Sequence, residues 1–112
     1  HQTVLDVPCH ANEWLINEVF RKELGFGEGL TISDCNDVNV LMDYYIAANV
    51  SHATAKGLIA GVDVDLQCGA TVTYNTTNVR QALADGTLPS EDAVDAAARH
   101  AAEGGGGDKK DQ

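Results

Sequence analysis

Two short β-prone runs, set apart by helical stretches, constrain this chain more than any other feature. The first is Leu30-Thr31-Ile32, which ends at once in the polar cluster Ser33-Asp34-Cys35-Asn36-Asp37. The second is Val62-Asp63-Val64-Asp65-Leu66, which alternates with period two and leads into Gln67-Cys68-Gly69. Helical patterns surround them. Leu15, Ile16, Val19 and Phe20 recur at helical spacing, which predicts a helix over 12–24, with Asn12 as N-cap and Gly25 as C-terminal stop. Residues 38–48 and 53–60 read as two further helical stretches, with a break near Asn49 and a stop at Gly61. A short helix over 79–83 follows, then a last one opened by Ser90-Glu91-Asp92 and running to about Ala102. The order is helix, strand, helix, strand, helix, which makes the chain α/β and implies parallel strands joined by helical crossovers. Two strands cannot cover both faces of a parallel sheet. A closed eight-stranded (β/α)8 barrel takes roughly 250 residues. The expectation is therefore a segment of a larger α/β barrel domain. It would occupy residues 1–103, followed by a flexible, Gly-rich charged tail over 104–112.

Charge narrows the partners. The net charge is -10, from 17 acidic and 7 basic side chains. An acidic surface of this kind repels phosphate backbones and anionic lipid, so neither nucleic acid nor a membrane surface is expected as a partner. No apolar run approaches the roughly 18 residues of a spanning helix. The three cysteines, Cys9, Cys35 and Cys68, are widely spaced and form no Cys-x-x-Cys, which argues against structural zinc. One disulfide with one free thiol, or three reduced thiols, are both compatible with the spacing. Asn49-Val50-Ser51 and Asn75-Thr76-Thr77 are glycosylation triplets compatible with secretion.

Other motifs have plainer readings. Asp34-x-Asn36 followed by acids superficially suggests a calcium loop, but the sixth position is Asn39 and not glycine. Gly25-x-Gly27-x-Gly29 precedes a strand instead of following one, so it is not a dinucleotide loop. His10, His52 and His100 have no metal-ligand spacing. Asp37 fits the first turn of a helix, and Asp63 with Asp65 fits structural hydrogen bonding on one strand face. Cys35 has no basic neighbour to activate a thiolate, which favours a structural or disulfide role.

Four stretches in order resemble the family 3 glycoside hydrolases. They are Pro8-Cys9-His10-Ala11-Asn12; Gly25-Phe26 with Gly29-Leu30-Thr31-Ile32-Ser33-Asp34-Cys35; Ala60-Gly61-Val62-Asp63 with Cys68-Gly69; and Ala82-Leu83-Ala84-Asp85-Gly86-Thr87-Leu88 with Glu91, Asp95 and Arg99. The resemblance covers about residues 7–102, and its Ser-Asp-Cys and Cys-Gly forms are most similar to the β-xylosidase branch. Leu24 stands where the family often has Trp, and Met42-Asp43-Tyr44-Tyr45-Ile46 lacks a usual His. The loop before the nucleophile strand is one residue longer, and the stretch from Gly61 to Cys68 is two residues longer.

The resemblance implies a retaining exo-glycosidase releasing terminal β-linked sugars, with Asp34 as nucleophile and Ser33 and Cys35 as substrate contacts. It implies no metal and no organic cofactor. A glycoside or oligosaccharide would be the partner, in a secreted enzyme. The sugar-binding strands and the acid/base domain of the family have no counterpart in these 112 residues, so they would belong to a parent chain. The other readings are a β-glucosidase of the same family, a non-catalytic carbohydrate-binding or interaction module derived from such a barrel, and an unrelated small acidic α/β protein carrying a chance motif.

Overall fold

The structure, a computed structural model, describes residues 3–66, 68 and 71–105. The chain opens on an antiparallel hairpin of β1 (Thr3–Val4) and β2 (Val7–Pro8), paired Thr3 to Pro8 and Val4 to Val7. Its turn residues Leu5 and Asp6 both have positive φ, 53° and 65°. That is the two-residue hairpin geometry that normally selects Asn or Gly, so Leu-Asp gave no signal for it. A 3-10 turn, Cys9–Ala11, leads to the first long helix, Trp14–Glu23. This helix lies where the periodicity places it, but it is wound as a wide π-helix. Asn12 caps it by accepting from the Leu15 N–H at 3.0 Å, and the Asn12 amide donates to Val4 O at 2.8 Å, tying the hairpin to the helix. Gly25, at φ 76°, supplies the left-handed exit.

Three α-helices follow. Helix α1 spans Val50–Ala60, α2 spans Thr76–Asp85, and α3 spans Asp92–His100 before a wide turn at Ala101–Gly105. Asn49 and Asn75 cap α1 and α2 by accepting from the N–H groups of His52 and Asn78 at 2.9 and 2.7 Å. Gly61 ends α1 at φ 108°. α1 is the central element. One side of it packs with Ile16, Val38, Leu41 and Val62, and the other with Ala82 and Leu88. Tyr74 touches both clusters and donates its hydroxyl to Val62 O at 2.8 Å. Gly57 is needed here, because a Cβ would lie 2.6 Å from the Tyr74 hydroxyl oxygen.

Three expectations change. Residues 38–48 form only a 3-10 turn at Asn39–Leu41 and further turns, with Tyr45 at φ 59°. The apolar positions Val38, Leu41 and Ala47 are still buried. Asp37, Val38, Asn39 and Val40 are weak helix formers, and the Asp and Asn side chains compete for backbone donors. The two β-prone runs do lie side by side and parallel, but they are not regular strands. A single bridge pairs Ile32 with Val64. Around it, the Asp63 and Val64 N–H groups donate to Thr31 O, Ser33 N–H to Val64 O, and Asn36 N–H to Leu66 O. A pair without neighbouring strands is only marginally stabilised. The chain is thus α-rich, and its only regular sheet among the described residues is the antiparallel hairpin. Finally, Gly104 and Gly105 belong to the wide turn after α3, not to a tail; the rest of the expected tail, 106–112, lies outside the described residues.

Candidate active site

The parallel pair has two faces with inverted chemistry. Successive side chains of an extended segment alternate sides. Ile32, Asp34 and Leu66 are exposed and Val64 is half-buried, whereas Ser33, Asp63 and Asp65 are buried. Around the bridge, the apolar Ile32, Val64 and Leu66 share the open side with Asp34, while Ser33, Asp63 and Asp65 face the helices; Val62, at the start of the second run, is buried in the core.

The buried polar side is held by two separate sets of bonds. At the entry to the pair, Arg21 donates to Asp63 Oδ2 at 2.9 Å and to the carbonyls of Gly27, Gly29 and Gly61. It also donates to Thr31 Oγ1. Asp63 Oδ1 is bonded to His100 Nδ1 at 2.9 Å. Side chains of Arg21 and Asp63 are 9% and 3% exposed, so this is an ion pair out of water. At the exit, Ser33 Oγ donates to Asp65 Oδ1 at 2.7 Å and accepts from Leu66 N–H at 3.2 Å. Thr73 Oγ1 donates to the other oxygen of Asp65.

Asp34 stands two residues beyond the bridge, at the C-terminal end of the pair and on its exposed face. Its Oδ1 accepts from Cys35 N–H at 2.7 Å, and its own N–H donates to Asp37 Oδ2 at 3.2 Å. Asn36 turns the backbone at φ 61°. Cys35 is joined to Cys68, with Cα atoms 5.2 Å apart and a sequence separation of 33. Closing a loop of that size contributes about 3–4 kcal/mol in the chain-entropy picture. The disulfide therefore ties the Asp34 turn to the segment after the second run. Cys9 is the free thiol.

A cavity of about 260 Å³ opens beside Asp34, with Cys9, His10, Ile32, Ser33 and Asp37 also on its wall. His10 is buried, and burial lowers its pKa against the opposing pull of Asp37 and Asp65. A larger cavity of about 590 Å³ lies between Phe20, Leu24, Phe26, Leu30 and Ile32. It is apolar, carries no ionisable group and does not include Asp34, so the smaller one is the chemical candidate.

Of the three expected site residues, the structure places only Asp34 with its carboxylate on the open face. Ser33 lines the same cavity, and its hydroxyl is hydrogen-bonded to Asp65 on the buried side. Cys35 offers a disulfide sulfur, not a thiol. His10 was not anticipated in the site; its place just before the first helix gave no hint that it would line the cavity of Asp34. Asp63 and Asp65 do share one face and hydrogen-bond there, as the alternation suggested.

These features match a known class, the glycosyl hydrolases. Residues 2–103 match the N-terminal domain of glycosyl hydrolase family 3, and the chain belongs to that family. It is 44% identical over 87 residues to a β-xylosidase of Formosa agariphila, covering 74% of this chain and 12% of that one. A xylan 1,4-β-xylosidase of Xylanibacter ruminicola is 34% identical over 99 residues, 85% of this chain and 10% of that one. A solved β-glucosidase from Erythrobacter marinus superposes with a TM-score of 0.67 at 35% identity, over 84% of this chain and 12% of that one. The chain thus spans about a tenth of the length of these relatives.

Proposed function

We propose that this chain is part of the catalytic barrel of a retaining β-glycosidase that removes terminal non-reducing sugars, with Asp34 as the nucleophile. The observation that carries this reading is the position of Asp34, exposed where a parallel pair ends. In (β/α)8 barrels the chemistry sits at the C-terminal ends of the strands. The outward apolar side chains Leu30, Ile32 and Val64 would then face the barrel interior, covered by the other strands.

The mechanism follows from the chemistry of one carboxylate. Asp34 attacks the anomeric carbon through an oxocarbenium-like transition state while a carboxylic acid roughly 5 Å away protonates the leaving oxygen. That acid lies outside these 112 residues, as do the strands that bind the sugar. Water, activated by the same acid/base, then cleaves the glycosyl ester on Asp34 and leaves the carboxylate free. The isolated chain is accordingly inactive. Xylosides are preferred over glucosides, since several relatives are named as xylosidases; β-glucosidase is the alternative, since relatives of that name match as well. The Cys35–Cys68 disulfide favours an oxidising compartment, extracellular or periplasmic. Among the described residues no helix is long and apolar enough to cross a membrane.

Two displacements give net retention. Proton NMR of nitrophenyl β-xyloside hydrolysis by the complete enzyme is expected to show the β-anomer of the sugar first, with the α-anomer growing in by mutarotation. First appearance of the α-anomer would mean a single displacement and no glycosyl-enzyme on Asp34.

A further inference from the structure

We propose that Asp65 is a positioning residue for Asp34, acting through the hydroxyl of Ser33; this rests on the nucleophile reading above. Asp65 is 7% exposed, and each of its oxygens accepts from a hydroxyl, Oδ1 from Ser33 and Oδ2 from Thr73. A serine hydroxyl has one proton. Two acceptors face that proton, Asp65 Oδ1 at 2.7 Å and the Asp34 carbonyl at 3.1 Å; the shorter, charge-assisted bond goes to Asp65, and Ser33 Oγ accepts in turn from Leu66 N–H. The Ser33 N–H meanwhile donates to Val64 O at 2.9 Å. The residue directly before Asp34 is therefore fixed to the second run by backbone and side chain together.

The anchor continues into the helices. Thr73 O accepts from Thr54 Oγ1 of α1 at 2.6 Å and from the Asn78 amide of α2 at 2.9 Å. Asp65 thus connects the backbone at Asp34 to the two central helices, while the Cys35–Cys68 disulfide holds the residue on the other side. Charge-assisted O–H···O⁻ bonds are short and directional. They suit an Asp nucleophile, whose short side chain can be aimed only by aiming its backbone. Asparagine at position 65 fits the same space but offers one acceptor and one donor. It cannot serve both hydroxyls as now oriented.

The test compares Asp65→Asn, Ser33→Ala and the double variant in the complete enzyme. Active sites are counted by stoichiometric trapping with a 2-deoxy-2-fluoro glycoside, and kcat is expressed per trapped site. Each single variant is expected to lose about tenfold or more in kcat with KM within about twofold. The double variant is expected to be no worse than the poorer single, because both changes cut one path. A purely structural role would lower the number of trapped sites and leave turnover per site unchanged; that result, or losses that multiply in the double variant, overturns the proposal. If Asp65→Asn fails to accumulate folded, Ser33→Ala decides alone, with turnover per site within twofold of the parent as the contrary result. Trapping of the parent on a residue other than Asp34 removes both readings. Trapping on Asp34 with unaffected variants removes only this one.

Discussion

Asp34→Asn in the complete enzyme is expected to lower kcat on an aryl β-glycoside by at least about a thousandfold, with KM unchanged or lower. A thousandfold corresponds to about 4 kcal/mol of transition-state stabilisation, at 1.36 kcal/mol per factor of ten. The size follows from what the substitution removes. The amide is neutral and a poor nucleophile, so the covalent route closes. The fold is not at risk. Asp34 is exposed, and its Oδ1 accepts from the adjacent Cys35 N–H, a bond the amide oxygen of asparagine can keep. The loss should therefore appear in turnover and leave the melting temperature nearly unchanged. A smaller variant, Asp34→Gly, leaves room for an added anion. Azide is expected to restore activity and to yield the α-glycosyl azide, because attack comes from the face the carboxylate vacated. An Asp34→Asn enzyme with more than a tenth of the parent kcat would contradict this account.

The largest effect on stability is expected at Asp63. Asp63→Ala strands the Arg21 guanidinium, whose side chain is 9% exposed, and leaves His100 Nδ1 without its carboxylate. Removing one partner of a buried ion pair costs about 3–5 kcal/mol, because the remaining charge stays desolvated. The carbonyls of Gly27, Gly29 and Gly61 still accept from Arg21 but cannot neutralise it. Loss of Asp63 also frees Thr31 N–H, which donates to Oδ2 at 2.9 Å. Asp63 is the buried link between the loop before Asp34 and the last helix, with Glu28 joining Arg99 at the exposed rim at 2.7 Å, so both should loosen together. Urea denaturation reads the change as a drop in midpoint without a large change in slope. Replacing both members, Arg21→Met with Asp63→Leu, is expected to recover much of the loss, since no charge is left buried. A cost below about 1 kcal/mol for Asp63→Ala would mean that Arg21 is adequately solvated or held by the carbonyls alone.

What the sequence made legible is local. Gly61, read as the stop of α1, acts where it was read, and Asn49, read only as a break, is the residue that caps the helix, which begins at Val50 and not at Ala53. The Asn12 cap and the Gly25 exit of the first helix are of the same kind. The ordered motifs around Ser33-Asp34-Cys35 and Cys68 led to the family because order along a chain is itself sequence information. The hairpin turn at Leu5-Asp6 was missed because Leu at its first position, at φ 53°, rarely adopts the left-handed region, and Asp6 has no glycine beside it to mark the turn.

The alternation of the second run put Asp63 and Asp65 on one face, but not what they bind there, and Ser33, Asp63 and Asp65 are all on the protected side. Partners 32 to 42 residues distant, Asp65 for Ser33, His100 for Asp63 and Arg21 for Asp63, make that burial possible. No window of sequence contains both ends of such a bond. The same holds for His10: it belongs to the stretch Pro8-Cys9-His10-Ala11-Asn12, but only the fold brings it to the wall of the Asp34 cavity.

The role of Asp34 is tested most directly by identifying the residue that becomes glycosylated. Incubation of the complete enzyme with a 2-deoxy-2-fluoro β-xyloside or glucoside, followed by protease digestion and tandem mass spectrometry, should place the sugar on the peptide containing Leu30-Thr31-Ile32-Ser33-Asp34, with the added mass on Asp34 itself. Stoichiometric labelling of any other carboxylate, with Asp34 unmodified, would contradict the account.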